Sequence, residues 1–251
     1  MDTLIALWQR LVESASAFAV NAEIAGGAAN AASTLSMPQL LALAAAMGWA
    51  SGLRLYLVLF IVGSAGALDW IALPAGLHLL QHPALLAASG FMMCVEFFAD
   101  KIPGLDSLWD VVHSVIRIPA GAALAAGIFG ADSAVMGVVA GLLGGTLSAT
   151  SFATKASARA AVNTSPEPFS NVAVSFVEDG AVIGAIWLAT HHPVIFGLAL
   201  AVILLMSVWV LILLARFLRA VIRRVLGFFG GSASLELAQT RAQPVSPPPT
   251  R

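Results

Sequence analysis

The sequence predicts an all-α, polytopic membrane protein, and three observations carry that prediction. Of 251 residues, 59% are hydrophobic and only 10% charged, against roughly 25% charged in water-soluble domains. Mean hydropathy is +0.93. Several runs approach the ~20 apolar residues that cross a bilayer core as helix, the open-ended structure that satisfies its own backbone groups. A chain so poor in polar groups cannot cover a water-facing globule.

Charge and cysteine content exclude other classes. Twelve basic and 13 acidic residues leave a formal net charge of −1, so no basic field attracts nucleic acid and no nucleic-acid partner is expected. The single cysteine, Cys94, rules out an intrachain disulfide and any cysteine zinc spacing. "MDTLIALWQR" opens on an acid rather than a basic segment, unlike a secretory leader.

Residues 1–22 are expected to form an amphipathic helix at the membrane interface. Leu4, Trp8, Leu11, Ala15 and Phe18 share one face, and Asp2, Gln9, Arg10 and Glu13 gather opposite. A helix packed on other helices fits the same pattern. Residues 23–38 are small, polar and glycine-rich, a linker. A transmembrane domain follows over 39–216, with six spans at roughly 39–63, 83–100, 109–129, 134–159, 171–190 and 193–216. Residues 217–229 continue as a basic amphipathic helix, and the proline- and serine-rich 230–251 as a disordered tail.

Lysine and arginine set the expected orientation. Lys101, Arg117, Lys155, Arg159 and the arginines of "ARFLRAVIRR" fall on one side, and the loops "GALDWIALPAGLHLLQHP", "FGADSA" and "THHP" contain neither residue. The basic side is cytoplasmic on this rule, which places both termini in the cytoplasm. "CVEFFADK" and "AVSFVEDG" align without gaps, pairing Val95 with Val174, Phe97 with Phe176 and Asp100 with Asp179. Since the second and fifth spans run oppositely, the alignment suggests a three-plus-three inverted repeat.

The functional candidates are ionisable groups at membrane depth, which are expensive there and face a cavity or a partner. Glu96 and Asp100, four apart, share a helix face. Like charges so placed repel unless a cation, proton or basic side chain lies between them. Glu178 and Asp179 interrupt the fifth span, and Lys155 and Arg159, four apart, end the fourth. Arg54 sits midway through the first. Glu96 and Lys155 are expected to belong to one electrostatic network. "NTSPEPFSN", residues 163–171, supplies Asn163, Ser165, Glu167 and Asn171 around two prolines that prevent continuous helix. Helix capping and a re-entrant segment against a solute both fit it. The proposed binding set is Glu96, Asp100, Lys101, Lys155, Arg159, Asn163, Ser165, Glu167, Asn171, Glu178 and Asp179. Asp106, Asp110, His113 and Arg117 fall at spacings of four, three and four on one face. The first three could hold a divalent metal through oxygen and imidazole; Asp106 capping a helix and Arg117 anchoring it is the structural alternative.

"EFFADKIPGLDSLWDVVHSVIR" and "KASARAAVNTSPEPFSNVAVSFVED" resemble a family of bacterial integral membrane proteins catalogued only as a domain of unknown function. The resemblance spans roughly residues 38–195. It implies a multi-span protein of the bacterial cytoplasmic membrane and no particular activity. It also implies a small polar residue such as asparagine where Arg54 stands.

Three functions compete. A secondary carrier of a small polar solute or ion would use the carboxylates for a proton or cation, with Lys155 and Arg159 on an anionic group. A membrane enzyme on a phosphorylated lipid would place a metal on Asp106, Asp110 and His113, though no H-E-x-x-H, G-x-S-x-G or Walker run is present. A scaffold would use the basic helix at 215–226 on anionic lipid or a partner. The carrier is the leading expectation. Membrane lipids, the solute and a second copy of the chain are the expected partners, and no motif specifies a cofactor.

Overall fold

The computed structural model describes residues 35–102, 104–129, 133–163 and 168–241. Side chains at 168, 218, 221 and 224–241 are excepted. The described residues form helices and turns without strands: α1 (Met37–Ala67), a 3-10 helix (Ala75–Gln81), α2 (Pro83–Ala99), α3 (Leu105–Phe129), α4 (Ala134–Val162), α5 (Pro168–His191) and α6 (Pro193–Arg241). The predicted interfacial helix, most of the linker, and residues 242–251 of the predicted tail lie outside the described residues. The chain divides into two compact units, Met1–Ser207 and Val208–Arg251.

Helix starts follow local chemistry. Ser36 and Gln39 form a reciprocal capping box at α1, satisfying amides that no earlier turn can bond. The Ser133 hydroxyl accepts from the Met136 amide at 3.2 Å at the start of α4. Pro38 and Pro83 occupy first turns, where a missing N–H costs nothing. In the second unit the last helix continues to Arg241, past Gly230, where the sequence predicted helix to end. Arg219 and Arg223 are exposed on it.

Among the described residues, five helices are long and apolar enough to cross a membrane, and the 3-10 helix with α2, bent by 70°, makes a sixth candidate. The protein is an all-α, multi-pass integral membrane protein. Its burial pattern inverts that of a soluble bundle. On α3 the buried stripe is Asp106, Asp110, His113, Arg117, Gly121, Leu124 and Ile128, while Leu108, Val111, Val112 and Val115 are exposed. On α4 it is Gly144, Ser148, Ser151, Lys155 and Arg159; on α5 it is Asn171, Ser175, Glu178, Val182 and Ile186. Each stripe is polar at one end and small or apolar at the other. The antiparallel arrangement brings the polar ends together.

The first helix departs from the expected single span. Arg54 has non-helical torsions (φ −144°, ψ 74°), and two helical arms meet there. The first arm packs on α4, with Gly48 against Gly144 and Gly52 against Ser148. A Cβ on Gly48 would lie 2.5 Å from the Gly144 Cα, so only glycine permits this backbone contact. In the second arm, Gly63 meets Leu80 and Gly66 meets Leu73. A straight helix would put Gln39 and Gly66 about 40 Å apart. Yet Gln39 and Ile71 line one small cavity of about 180 Å³, together with Thr190 and His191. Five residues from Gly66 to Ile71 reach at most about 17 Å. Therefore α1 doubles back at Arg54, and both of its ends lie at the His191 end of α5.

Two sequence expectations change with this. The start of α1 shares a side with the loop at Asp69, not with Lys101; residues 1–34, which decide the side of the N-terminus, lie outside the described residues. The inverted repeat also does not extend to the first and fourth spans, because α1 folds back whereas α4 runs unbroken from Ala134 to Val162.

Candidate functional site

The polar ends of α2, α3, α4 and α5 converge with the tip of α1 on a buried cluster of charges. Four basic side chains enter it, and each touches at least two carboxylates. Arg54 lies 2.8 Å from Asp100, 3.0 Å from Asp179 and 3.6 Å from Glu178. Lys155 lies 3.1 Å from Asp110, 3.4 Å from Asp100 and 3.5 Å from Glu178. Arg159 lies 2.9 Å from Glu178, 3.3 Å from Asp100 and 3.7 Å from Asp106. Arg117 joins Glu96 to Asp110, the latter at 2.7 Å. Apart from Asp179, these residues are nearly or fully buried.

Backbone groups hold the tip of α1 in place. Lys155 donates to the Leu53 carbonyl at 3.1 Å, beside the break, and Arg54 donates to the Ser175 hydroxyl at 2.6 Å and its carbonyl at 3.2 Å. Ser151 donates to the Trp49 carbonyl at 2.7 Å. Side chains inserted against a helical ladder are a recognised cause of sharp kinks. Here they come from residues about a hundred positions away.

Charge does not balance in this cluster. Among the described residues, six carboxylates (Glu96, Asp100, Asp106, Asp110, Glu178, Asp179) face four bases (Arg54, Arg117, Lys155, Arg159), so 4 − 6 leaves −2 with every group ionised. Isolated buried charge is costly enough that a site takes up a proton or counter-ion instead. Glu96 Oε2, Asp100 Oδ1 and Asp110 Oδ2 are buried without a hydrogen-bond partner, so acceptors remain open. A half-open cavity of about 440 Å³ adjoins the cluster, with Arg54, Glu96 and Asp179 among its lining residues.

Of the sequence candidates, Glu96, Asp100, Lys155, Arg159, Glu178 and Asp179 meet in this network. Glu96 and Lys155 make no direct ion pair among the described residues; Arg117 and Asp110 link them by contact. Asn163 and Asn171 form a polar edge beside it: Asn171 donates to Asn163 at 2.8 Å, and Asn163 donates to the Asp106 carboxylate at 3.0 Å. Ser165 and Glu167 lie outside the described residues. Lys101 stands apart, with its ammonium over the Phe97 ring and donating to the Phe97 carbonyl at 3.1 Å. Desolvation, then the positive charge of Arg54, pushes its amine below the usual lysine range.

The metal candidates are otherwise engaged. Asp106 accepts from the Gly104 amide at 2.9 Å as well as from Asn163, Asp110 bonds Arg117 and Lys155, and His113 stacks on Trp109 at 4.0 Å. Among the described residues no three His, Cys, Asp or Glu side chains group as a metal site. Sequence reasoning left Arg54 and Arg117 out of the binding set. The seven-residue step from Asp110 to Arg117, two helical turns on one face, was the available signal for Arg117; for Arg54 it was the lone charge within an apolar run.

Comparison with known proteins gives one match. The family model described as "Domain of unknown function (DUF4126)" matches residues 41–212, more than half of the chain, and the chain belongs to that family. No curated protein and no solved structure matches.

Proposed function

We propose that this member of the family is a secondary carrier of a small polar solute or ion, with the buried charge cluster as its coupling site. The observation that carries the reading is the formal −2 of the cluster at the tip of a helix that doubles back within the membrane. Non-helical backbone at membrane depth is tolerated where protein buries it or where it lines a cavity. Discontinuous helices often form solute and ion sites in carriers, and Arg54 both breaks α1 and lines a cavity. A proton or cation entering the cluster would neutralise a carboxylate and release its basic partner. That partner could then bind elsewhere, and the two charge patterns would define the two states of the carrier. The distribution of lysine and arginine supports an orientation with the Lys101 end of the bundle in the cytoplasm, and the family resemblance supports a bacterial cytoplasmic membrane as its location.

The test is flux in proteoliposomes that enclose a pH-sensitive dye. Challenged with the small-molecule fraction of a bacterial lysate, vesicles with the protein should move protons faster than protein-free vesicles, and Glu178→Gln should remove the excess. Equal rates in all three would overturn the carrier.

The engagement of every basic residue in the cluster favours one competing reading, a membrane scaffold. A scaffold predicts no excess flux. It further predicts that a charge-reversed pair, Glu96→Arg with Arg117→Glu, keeps full function.

A further inference from the structure

The cavity beside the cluster has a composition that selects a ligand. Arg54 and Leu57 of α1 form its floor, α2 supplies Met93, Glu96 and Phe97, and α5 supplies Asp179 and Ile183. Its wall is largely apolar and its ionisable groups lie together. Two features there remain unsatisfied within the protein. Glu96, 1% exposed, spends Oε1 on Arg117 and leaves Oε2 without a partner. Arg54 Nε lies 3.0 Å from Asp179 Oδ1 but is not aligned for a hydrogen bond, so Asp179 is incompletely held. Arg54 and Arg117 each sit between a lining carboxylate and a further one (Asp100, Asp110), so the formal negative excess is that of the cluster as a whole, which the cavity adjoins.

Chemistry narrows the occupant. A hard inorganic cation such as calcium needs six or more oxygens, and only Glu96 and Asp179 offer carboxylates here. An anion meets the wrong sign. A neutral donor can bond Glu96 Oε2 but brings no charge to offset the carboxylate, and its hydrogen bond is the weaker kind. An ammonium satisfies that oxygen with a charge-assisted bond, and an apolar body attached to it covers Leu57, Met93 and Ile183. The volume, about 440 Å³, falls in the range of small-molecule sites. We infer that the cavity between α2 and α5 binds an amphiphilic organic cation, its ammonium between Glu96 and Asp179 and its apolar body against Leu57, Met93 and Ile183.

The inference names a solute class for the carrier above and rests on that reading for its role in transport. Its test is binding alone, so the two can fail separately. Calorimetric titration of the full chain in detergent would use phenethylammonium, with 2-phenylethanol and 3-phenylpropionate as neutral and anionic counterparts. The ammonium should bind at least tenfold more tightly than either. Ile183→Trp fills the cavity from a half-exposed position without changing charge, and should weaken binding tenfold or more; Met93→Trp is the equivalent change from α2 should that variant not fold. Glu96→Gln should abolish the preference for the cation. Cys94, exposed and lining the same cavity, reports location: saturating phenethylammonium should slow its alkylation severalfold. Equal affinity for the three ligands, or wild-type affinity in a folded cavity-filling variant, overturns the inference. Cation binding without solute-driven flux retains the site and removes the carrier.

Discussion

A single oxygen, Asp100 Oδ2, lies 2.8 Å from Arg54 and 3.3 Å from Arg159, tying the tip of α1 to the end of α4. Lys155 approaches the same atom at 3.4 Å. Three cations on one buried carboxylate make Asp100 the keystone of the cluster. Removing one partner of a buried ion pair leaves the other uncompensated and costs about 3–5 kcal/mol. Here Arg54, Lys155 and Arg159 each keep two other carboxylates, so Asp100→Asn should lower stability by about 1–3 kcal/mol, read as reversible unfolding in detergent. A loss below about 1 kcal/mol would show that the contacts are no stronger than exposed ion pairs.

Coupling energies should follow the chain of contacts. Arg117 touches both Glu96 and Asp110, whereas Glu96 and Lys155 communicate through them. Double-mutant cycles on stability should give Glu96/Arg117 a coupling of about 1–3 kcal/mol and Glu96/Lys155 a smaller one. The reverse order would mean that Arg117 is not the link.

Close helix approach sets a steric limit away from the charges. Gly48 lies on Gly144, and Gly144 in turn faces Ala125 and the Gly121 carbonyl. Gly48→Val should destabilise by at least about 1–3 kcal/mol, since backbone rather than a flexible side chain receives the new atoms. Gly180, with open space beside it, is the control: Gly180→Ala should cost nothing measurable by the same unfolding assay.

Much of the site was legible because helices repeat every 3.6 residues and charge is rare in this chain. Spacings of four put Lys155 beside Arg159 and Glu96 beside Asp100, and the fold brings the ends of these helices together. Lys101 shows the limit of that logic. One position beyond Asp100, it turns away from the cluster to the rings of Phe97 and Phe176, which composition cannot distinguish. The return of α1 left still less trace. Hydropathy treats Met37–Ala67 as one long apolar run, with no proline near Arg54. The bonds that hold the break come from Lys155 and Ser175, far along the chain.

The predicted and observed halves of the α2–α5 relationship can be joined in one experiment. Phe97 and Phe176, aligned in sequence, meet edge to face at 6.0 Å. Cysteines at these two positions, in a Cys94→Ala background, should cross-link with a short bifunctional reagent. Failure there and at the neighbouring pair Ala99 and Val177 would separate the two segments.

Labelling of single cysteines at the two ends of α1 tests the re-entrant hairpin, and with it the delivery of Arg54 to an unbalanced buried cluster, most directly. Met37 and Asp69 are both exposed and flank the two arms. Met37→Cys and Asp69→Cys, each in the Cys94→Ala background, would be treated with a membrane-impermeant maleimide on sealed vesicles of known orientation. The doubled-back helix predicts that both label from the same side of the membrane. Labelling from opposite sides would make α1 a straight span and contradict the placement of Arg54 at a tip.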